Sequence, residues 1–501
     1  MLSKFPYLRR DFLASVVVFL VAVPLCVGVA VASGVPAELG LITGIVGGLV
    51  TGLLPGSSLQ VSGPAAGMTV IVFEAVSEFG VAALGVIVLM AGLLQLAMGF
   101  LKIGRWFRAI SVAVVEGMLC GIGLVIIAGQ IYAAAGLKAP GTGIGKIAGL
   151  PGAFADALGS TEALISLAIG AGTIAVIVLW KKLPKAVQSV PGALAAVVLA
   201  TVATLTLSLP VATVEVEGLL GVIQPPGTDA LGQLAGPAIW GTIIAFALIA
   251  SAESLFSAAA VDRLHDGPRT QYNKEMIAQG AGNTVCGLLG ALPMTAVIVR
   301  SSANVNAGAK TKASRVLHGV WLLLFAAAMP WALALIPLPA LAGILVHAGW
   351  KLIPFRQVAA LWRAHKGEAL ILVVTAVSIV AVNMFEGVLI GLALSVVKTA
   401  WEASHVRLEV IDKGAGPIQV YLSGNATFLR LPKILDSLEA LPQDRPVELD
   451  LSGLHHLDHA CRTALESWAE RHSATGTEPV KVTEPVKATS AENATANTWQ
   501  R

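Results

Sequence analysis

The sequence predicts an all-α polytopic membrane protein of fourteen transmembrane segments, followed by a small α/β domain. Three observations carry this. Of 501 residues, 56% are hydrophobic and 13% charged, half the charge share of a soluble domain. Apolar runs of bilayer-spanning length recur from residue 12 to residue 402. The basic residues of the loops between spans are concentrated in alternate loops.

Hydropathy places spans at 12–33, 37–54, 64–79, 81–101, 109–133, 162–180, 191–209, 238–260, 276–292, 300–309, 314–336, 338–353, 367–384 and 386–402. Residues 4–33, with Lys4, Arg9 and Arg10 before an apolar run, have the outline of a signal peptide. The run is too long for one and many more follow, so it reads as a first transmembrane helix. With the N-terminus cytoplasmic, sixteen lysines and arginines fall in inner loops: Lys102, Arg105, Arg108, Lys181, Lys182, Lys185, Arg263, Arg269, Lys274, Lys310, Lys312, Arg315, Lys351, Arg356, Arg363 and Lys366. Only Lys138 and Lys146 fall outside, a strong positive-inside signal that puts both termini in the cytoplasm and the chain in the inner (plasma) membrane.

Two sets of seven spans have opposite orientation, about 12–209 and 238–402, and an internal echo links them. LQVSGPAAG (59–67) precedes the third span and VIVRSSANVNAG (297–308) opens the tenth. Each is a β-branched stretch, a turn of small residues, then a helix start. Interrupted segments at matching positions of two halves point to a transporter's binding site. Inversion faces the two helix N-termini toward each other, and their free N–H groups and positive dipole ends suit an anion.

Arg300 opens the tenth span. A charge at the centre of a membrane helix costs roughly 2.5–3.5 kcal/mol or more, and an anionic substrate would offset it. An ion pair with Glu253, or snorkelling to an interface, would also explain it. Ser62, Gly63 and Ala65 with Ser301, Ser302 and Ala303 would offer N–H and hydroxyl donors at the facing helix starts, a role that helix capping by the serines leaves open. Glu253 lies mid-span in LIASAESLFSAAA, and Glu38 opens the second span. Either could carry a coupling proton, Glu253 could help bind sodium, and Glu38 could simply stabilise a helix N-terminus. Glu116 and Glu386 are weaker candidates. Asp262 and Arg263 read as a surface pair, His318 and His347 as structural histidines, and the glycines of GIVGG (44–48) as packing contacts.

Four cysteines, Cys26, Cys120, Cys286 and Cys461, have no paired spacing, so no disulfide or metal site is expected. No nucleophile–base set, metal cluster or Walker-type loop is present; GTGIGKIAG (141–149) lies in an outer loop without a preceding strand. An enzyme and an ATP-driven pump within this chain are thereby excluded, and nothing points to nucleic acid. From about residue 405 the pattern changes to two strands around a Gly-rich turn, a helix at 430–440, a strand at 447–453 and a helix at 459–472, a small α/β domain near the lower limit for one core. Residues 476–501 read as a disordered tail.

VPLCVGVAVASGVP (23–36), LQVSGPAAG, Asn273 to Glu275 with IAQGAGN (277–283), and the tenth-span motif together resemble the SulP family of sulfate-permease-like anion transporters, related to the solute-carrier 26 group. The tail resembles the STAS domain that this family carries. The resemblance covers the chain to about residue 475. It implies a transport domain 1–403 built as a seven-plus-seven inverted repeat, with a core of spans 1–4 and 8–11, a gate of the others, and a cytoplasmic STAS domain 404–475. It also implies homodimers, elevator-like movement, no cofactor, a carboxylate of the eighth span close to the substrate, and a STAS surface for a cytoplasmic protein partner. Cys26, in the first-span motif, joins the substrate-binding set.

Many sulfate-type members have Val-Pro-Gln in the first span and an aromatic four residues later; Leu25 and Val29 stand there in this chain. The pocket is then more apolar, as in the bacterial branch associated with bicarbonate or carboxylates. The STAS position for a phosphorylatable hydroxyl falls at Asp458-His459-Ala460, which has none, so no phosphoswitch is implied. The expected function is secondary active transport of a small inorganic or organic anion such as bicarbonate, fumarate or sulfate, coupled to a proton ahead of sodium. An exchanger or uncoupled channel of the same fold is the alternative.

Overall fold

The computed structural model describes residues 7–109, 111–184, 187–216, 218–414, 416–476 and 478–484. The chain divides into two compact units, Met1–Leu392 and Ala393–Arg501. The first is almost wholly helical. A helix overlaps each expected span: α1 Leu8–Ala32, α2 Ala37–Val46, α3 Thr69–Phe79, α4 Val81–Phe100, α5 Val112–Ala134, α6 Thr161–Trp180, α7 Gly192–Thr206, α8 Pro237–Val261, α9 Tyr272–Leu288, α10 Ile298–Asn306, α11 Ala313–Ala328, α12 Leu338–Leu352, α13 Lys366–Ala381 and α14 Met384–Ala403.

Among the described residues, seven helical stretches are long and apolar enough to cross a bilayer, and three shorter ones are apolar. The shortfall from fourteen has local causes. α3 and α10 are half-helices continued by extended chain. The eleventh span, expected as one helix to residue 336, breaks at Pro330, which cannot continue an i−4 hydrogen-bond ladder. α9 carries Gln279 and Asn283 on its buried face.

Two packed groups of helices make up the first unit. In one, α4 lies along α9 and α8, and α1 along α2 and α11. In the other, α5 packs on α12 and α13, and α6 on α12 and α7. Glycine makes both possible. A Cβ on Gly92 would overlap the Thr284 amide and one on Gly287 the Leu89 amide, while Gly117 and Gly343 sit as tightly on Leu372 and Gly170. Lipid tails are as apolar as leucine, so such close backbone approach, rather than hydrophobicity, drives helix association. The GIVGG glycines behave likewise. Gly44 abuts Cys26 and Leu322, Gly47 the Ser62 carbonyl, and Gly48 the Gly319 backbone. There α2 loosens into a π-helical turn, Gly47–Thr51, a feature frequent at functional positions.

Between α2 and α3 lies the strand β1, Ser62–Pro64, and between α9 and α10 the strand β2, Met294–Ala296. They pair antiparallel, Ser62 opposite Ala296 and Pro64 opposite Met294, with all six residues buried. The helices they feed start at Thr69, after a 3₁₀ turn at Ala66–Met68, and at Ile298. Thus the third helix begins five residues later than hydropathy places it.

The second unit holds β3 Val406–Ile411, β4 Ile418–Ala426, β5 Val447–Leu457 and β6 Lys481–Thr483, with helices α15 Leu431–Glu439 and α16 His459–Thr475. The sheet order is β3-β4-β5-β6, the first pair antiparallel and the others parallel. Alternate residues Ile418, Val420 and Leu422 of β4 with Val447, Leu449 and Leu451 of β5 point into one core against Ile434, Leu465 and Trp468. β6 corrects the expectation of disorder from residue 476: a three-residue edge strand forms inside that stretch because its backbone completes the β5 ladder. Residues 485–501 lie outside the described residues.

Candidate functional site

The ribbon β1–β2 must satisfy its backbone groups in a dry interior, and neighbouring helices supply the partners. The Val61 amide donates to Ser301 Oγ (2.9 Å), and the Val297 amide to the Val61 carbonyl (3.0 Å). Ser254 Oγ of α8 accepts from the Ala296 amide at 3.2 Å. Asn283 of α9 spans Met294, accepting from its amide (2.7 Å) and donating to its carbonyl (3.1 Å), and reaches Gln95 Oε1 of α4 at 2.7 Å. Gln95 in turn donates to Ser251 of α8. Gln279, one turn before Asn283, donates to Ser62 Oγ (2.7 Å) and Glu275 Oε1 (2.8 Å). Spacing of four puts the two amides on one helix face. This buried network fixes where the half-helices begin.

Arg300 is the third residue of α10 and fully buried. Its Nη2 donates to the Pro64 carbonyl at the end of β1 (3.2 Å), so one guanidinium bridges the two interrupted segments. Nη1 lies against the Gly63 Cα, where a Cβ would overlap it. Nε and Nη1 have no acceptor. The Cys26 thiol of α1 hydrogen-bonds this guanidinium, His318 of α11 is near enough to feel its charge, and both histidine nitrogens are buried without a partner. The first-turn amides of α10 have no intrahelical acceptor either. Donors left open, buried and positively charged together are what an anion site requires.

Glu253 of α8 packs against Gly67, at the helix end of the same strand-to-helix segment. A Cβ on Gly67 would stand 2.6 Å from its Oε1. It bonds Thr295, while Oε2 has no partner. Arg300 and Glu253 therefore flank Gly63–Gly67, and among the described residues no ion pair joins them. The counter-charge explanation of Arg300 lacks the contact it needs.

The remaining sequence-level candidates divide. Ser301 Oγ donates to Val297 as well as accepting from Val61, and Ser62 accepts from Gln279, so both hydroxyls are committed to bracing the ribbon. Ser302 Oγ turns back to the Val299 carbonyl and is half-buried, as is Ala303. Ala65 is buried at the head of the 3₁₀ turn. Glu38 stands six residues, about 9 Å of helix rise, from the Gly44 that touches Cys26, and accepts from the Gly218 amide at 3.0 Å. It belongs to the end of α2, not to the Arg300 cluster. Asp262 is no surface partner of Arg263. It is buried and accepts from the amide and hydroxyl of Thr270. Arg315, counted among loop charges, is buried, holding the Gly52, Gln60 and Leu54 carbonyls. Gln95, Thr295 and His318 were not readable as site residues. Asn283 and Gln279 were signalled by the polar i, i+4 pair in IAQGAGN.

The profile of the sulfate permease family matches residues 8–375. The putative sulfate transporter YvdB of Bacillus subtilis (strain 168) is 28% identical over 93% of this chain and 88% of its own length. The bicarbonate transporter BicA of Picosynechococcus sp. is 26% identical over 93% and 87%. Murine solute carrier 26 family member A9, an anion transporter solved in the inward-facing state, superposes with a TM-score of 0.78 at 17% identity, over 99% of this chain and 89% of that one. The fold is thus shared with proteins named as anion transporters rather than enzymes, and with the family profile matching most of its length the chain belongs to the sulfate permease family.

Proposed function

We propose that the protein is a secondary active transporter of a small anion, held between the N-termini of α3 and α10 by Arg300. One observation carries the reading: a fully buried guanidinium that links both broken segments yet leaves Nε and Nη1 open. A buried charge with unmet donors is strongly unfavourable unless an anion completes it. Gly63, Ala65, Ser301, Ser302 and Ala303 lie on the two segments that would frame it, the Ser301 amide itself being bonded to the Val297 carbonyl at 2.9 Å, and Cys26 would form its wall. Leu25 and Val29 keep that wall apolar, which favours bicarbonate or a carboxylate over sulfate.

Coupling is to a proton, carried by Glu253, whose carboxylate has an open Oε2 and packs on Gly67, four residues along from the Gly63 that Arg300 touches. Glu38, bonded at the far end of α2, would affect the pH response only indirectly. The fourteen helices cross the membrane as two inverted sets of seven, with termini and the STAS-like unit in the cytoplasm of a homodimer. α1–α4 with α8–α11 move past the other group, elevator fashion, each group kept rigid by its own close glycine contacts.

The test is uptake into proteoliposomes under an inward proton gradient without sodium, using radiolabelled bicarbonate, sulfate, fumarate and chloride. Uphill accumulation of one anion, abolished by a protonophore, is expected. Accumulation only with sodium would reassign Glu253 to the cation. Equilibration without accumulation would favour exchange or a channel, and no flux of any anion would remove the proposal.

A further inference from the structure

Away from Arg300 lies a groove of about 890 Å3 whose lining is almost wholly apolar, within the 300–1,000 Å3 range of ligand sites. Leu124 and Ile127 of α5 form its floor, Trp350 at the end of α12 one wall, and Phe355, Trp362 and Arg363 of the short helix Phe355–Ala364 the other. Trp350 and Phe355 meet with ring centroids 4.8 Å apart. All three aromatics are about half exposed, and none of the short helix's ten residues is buried.

That helix sets Phe355, Val358, Leu361 and Trp362 against Arg356, Gln357 and Arg363. It is too short to cross a bilayer, and its two faces are those of a helix lying in the interface. From Trp350 to Leu370 the chain carries Lys351, Arg356, Arg363 and Lys366 against a single acid, Glu368, which accepts from Ser111. Arg356, Arg363 and Lys366 are exposed. An apolar slot walled by tryptophans and rimmed by exposed cations that pair with no acid among the described residues has the complement of one ligand class.

We propose that this groove is a binding site for an acidic phospholipid of the cytoplasmic leaflet. An acyl chain lies along Leu124, Ile127 and Trp350, and the anionic headgroup rests among Arg356, Arg363 and Lys366. Attraction of several-fold per basic residue at a membrane surface makes the site select by headgroup charge, while the groove selects for the chain. The inference rests on the inward orientation of this loop. It is read by lipid contact alone, so it can fail independently of transport.

The experiment places the full chain in phosphatidylcholine nanodiscs doped with brominated-chain phosphatidylglycerol or brominated-chain phosphatidylcholine. Bromine quenches indole emission on contact, and the Trp362 contribution is the difference between wild type and Trp362→Phe. Phosphatidylglycerol is expected to quench this signal at about one tenth the mole fraction that phosphatidylcholine needs. Arg356→Gln with Arg363→Gln should erase the preference while quenching by phosphatidylcholine stays. High salt should weaken the preference in wild type. Equal quenching by both lipids would mean unselective annular lipid. Quenching by neither would mean that a second copy or another chain segment covers the groove. Either result, or an unchanged preference in the double variant, overturns the proposal.

Discussion

Arg300 donates to the Pro64 carbonyl and meets the Cys26 thiol while Nε and Nη1 stay open, short of the five donors it carries, and Gly63 is what lets it lie against the ribbon. Gly63→Ala would put a methyl group where Nη1 stands. Uptake should fall at least about tenfold through misplacement of the donor fork, with a stability cost of about 1–3 kcal/mol, the range for an overpacked site. A variant with normal uptake would separate the guanidinium from the substrate. Glu253→Gln keeps the size of the side chain and its bond to Thr295 while removing the titrating group. The expected phenotype is downhill anion exchange retained and proton-driven accumulation lost, measured in the same vesicles with and without a pH gradient. Accumulation unchanged in that variant would move the coupling role elsewhere.

At the scale of elements, the ribbon β1–β2 is held by side chains from α4, α8 and α9, so its integrity can be tested away from Arg300. Asn283→Leu leaves the Met294 amide and carbonyl and Gln95 Oε1 without partners. Each buried orphan costs about 1–3 kcal/mol, and a fall in thermal unfolding temperature is expected even where anion affinity survives. In the C-terminal unit, Asp458 caps α16, accepting from Cys461 (2.8 Å) and from the Phe428 amide (2.6 Å). Burial pushes its carboxyl up, but those two amides outweigh it and hold it below the usual value. Its stabilisation is therefore present above the unfolded carboxylate pKa, about 4, and is lost as pH falls through the lower folded value. Asp458→Ala should cost this unit about 1 kcal/mol at neutral pH, and less as the pH falls below that range. An equal cost at pH 7 and at pH 2.5, measured by denaturation, would contradict this.

Much of that architecture was legible in the chain, and the misses have physical reasons. Span positions follow apolar run length, which the bilayer fixes. The broken segments announced themselves through small residues after β-branched ones. Their pairing as a ribbon did not, because Ser62 and Ala296 lie far apart in sequence and six buried residues give no strand periodicity. The role of Asn283 hid for a related reason: a lone amide in an apolar helix says that a partner exists, not that it is the backbone of β2. Arg300 and Glu253 stood out as intramembrane charges, whereas Glu38, an equal on the same criterion, is placed at the far end of α2 by an amide from a loop some 180 residues away.

On the scale of the whole molecule, helices from both halves of the chain meet at one point, and that point holds the charge a membrane protein can least easily bury. Arg300 is either the anchor of the anion or a strut of the ribbon. Uptake of the accumulated anion by wild type, Arg300→Lys and Arg300→Ala, reconstituted at equal density and checked for equal thermal stability, tests this most directly. Loss of charge-assisted hydrogen bonds worth about 1.5–3 kcal/mol each predicts a fall of at least about tenfold in apparent affinity for Arg300→Ala. Lysine, a point charge without the fork, should restore only part of it. Wild-type affinity in a stable Arg300→Ala protein would show that the guanidinium is a strut of the ribbon and that the anion binds elsewhere.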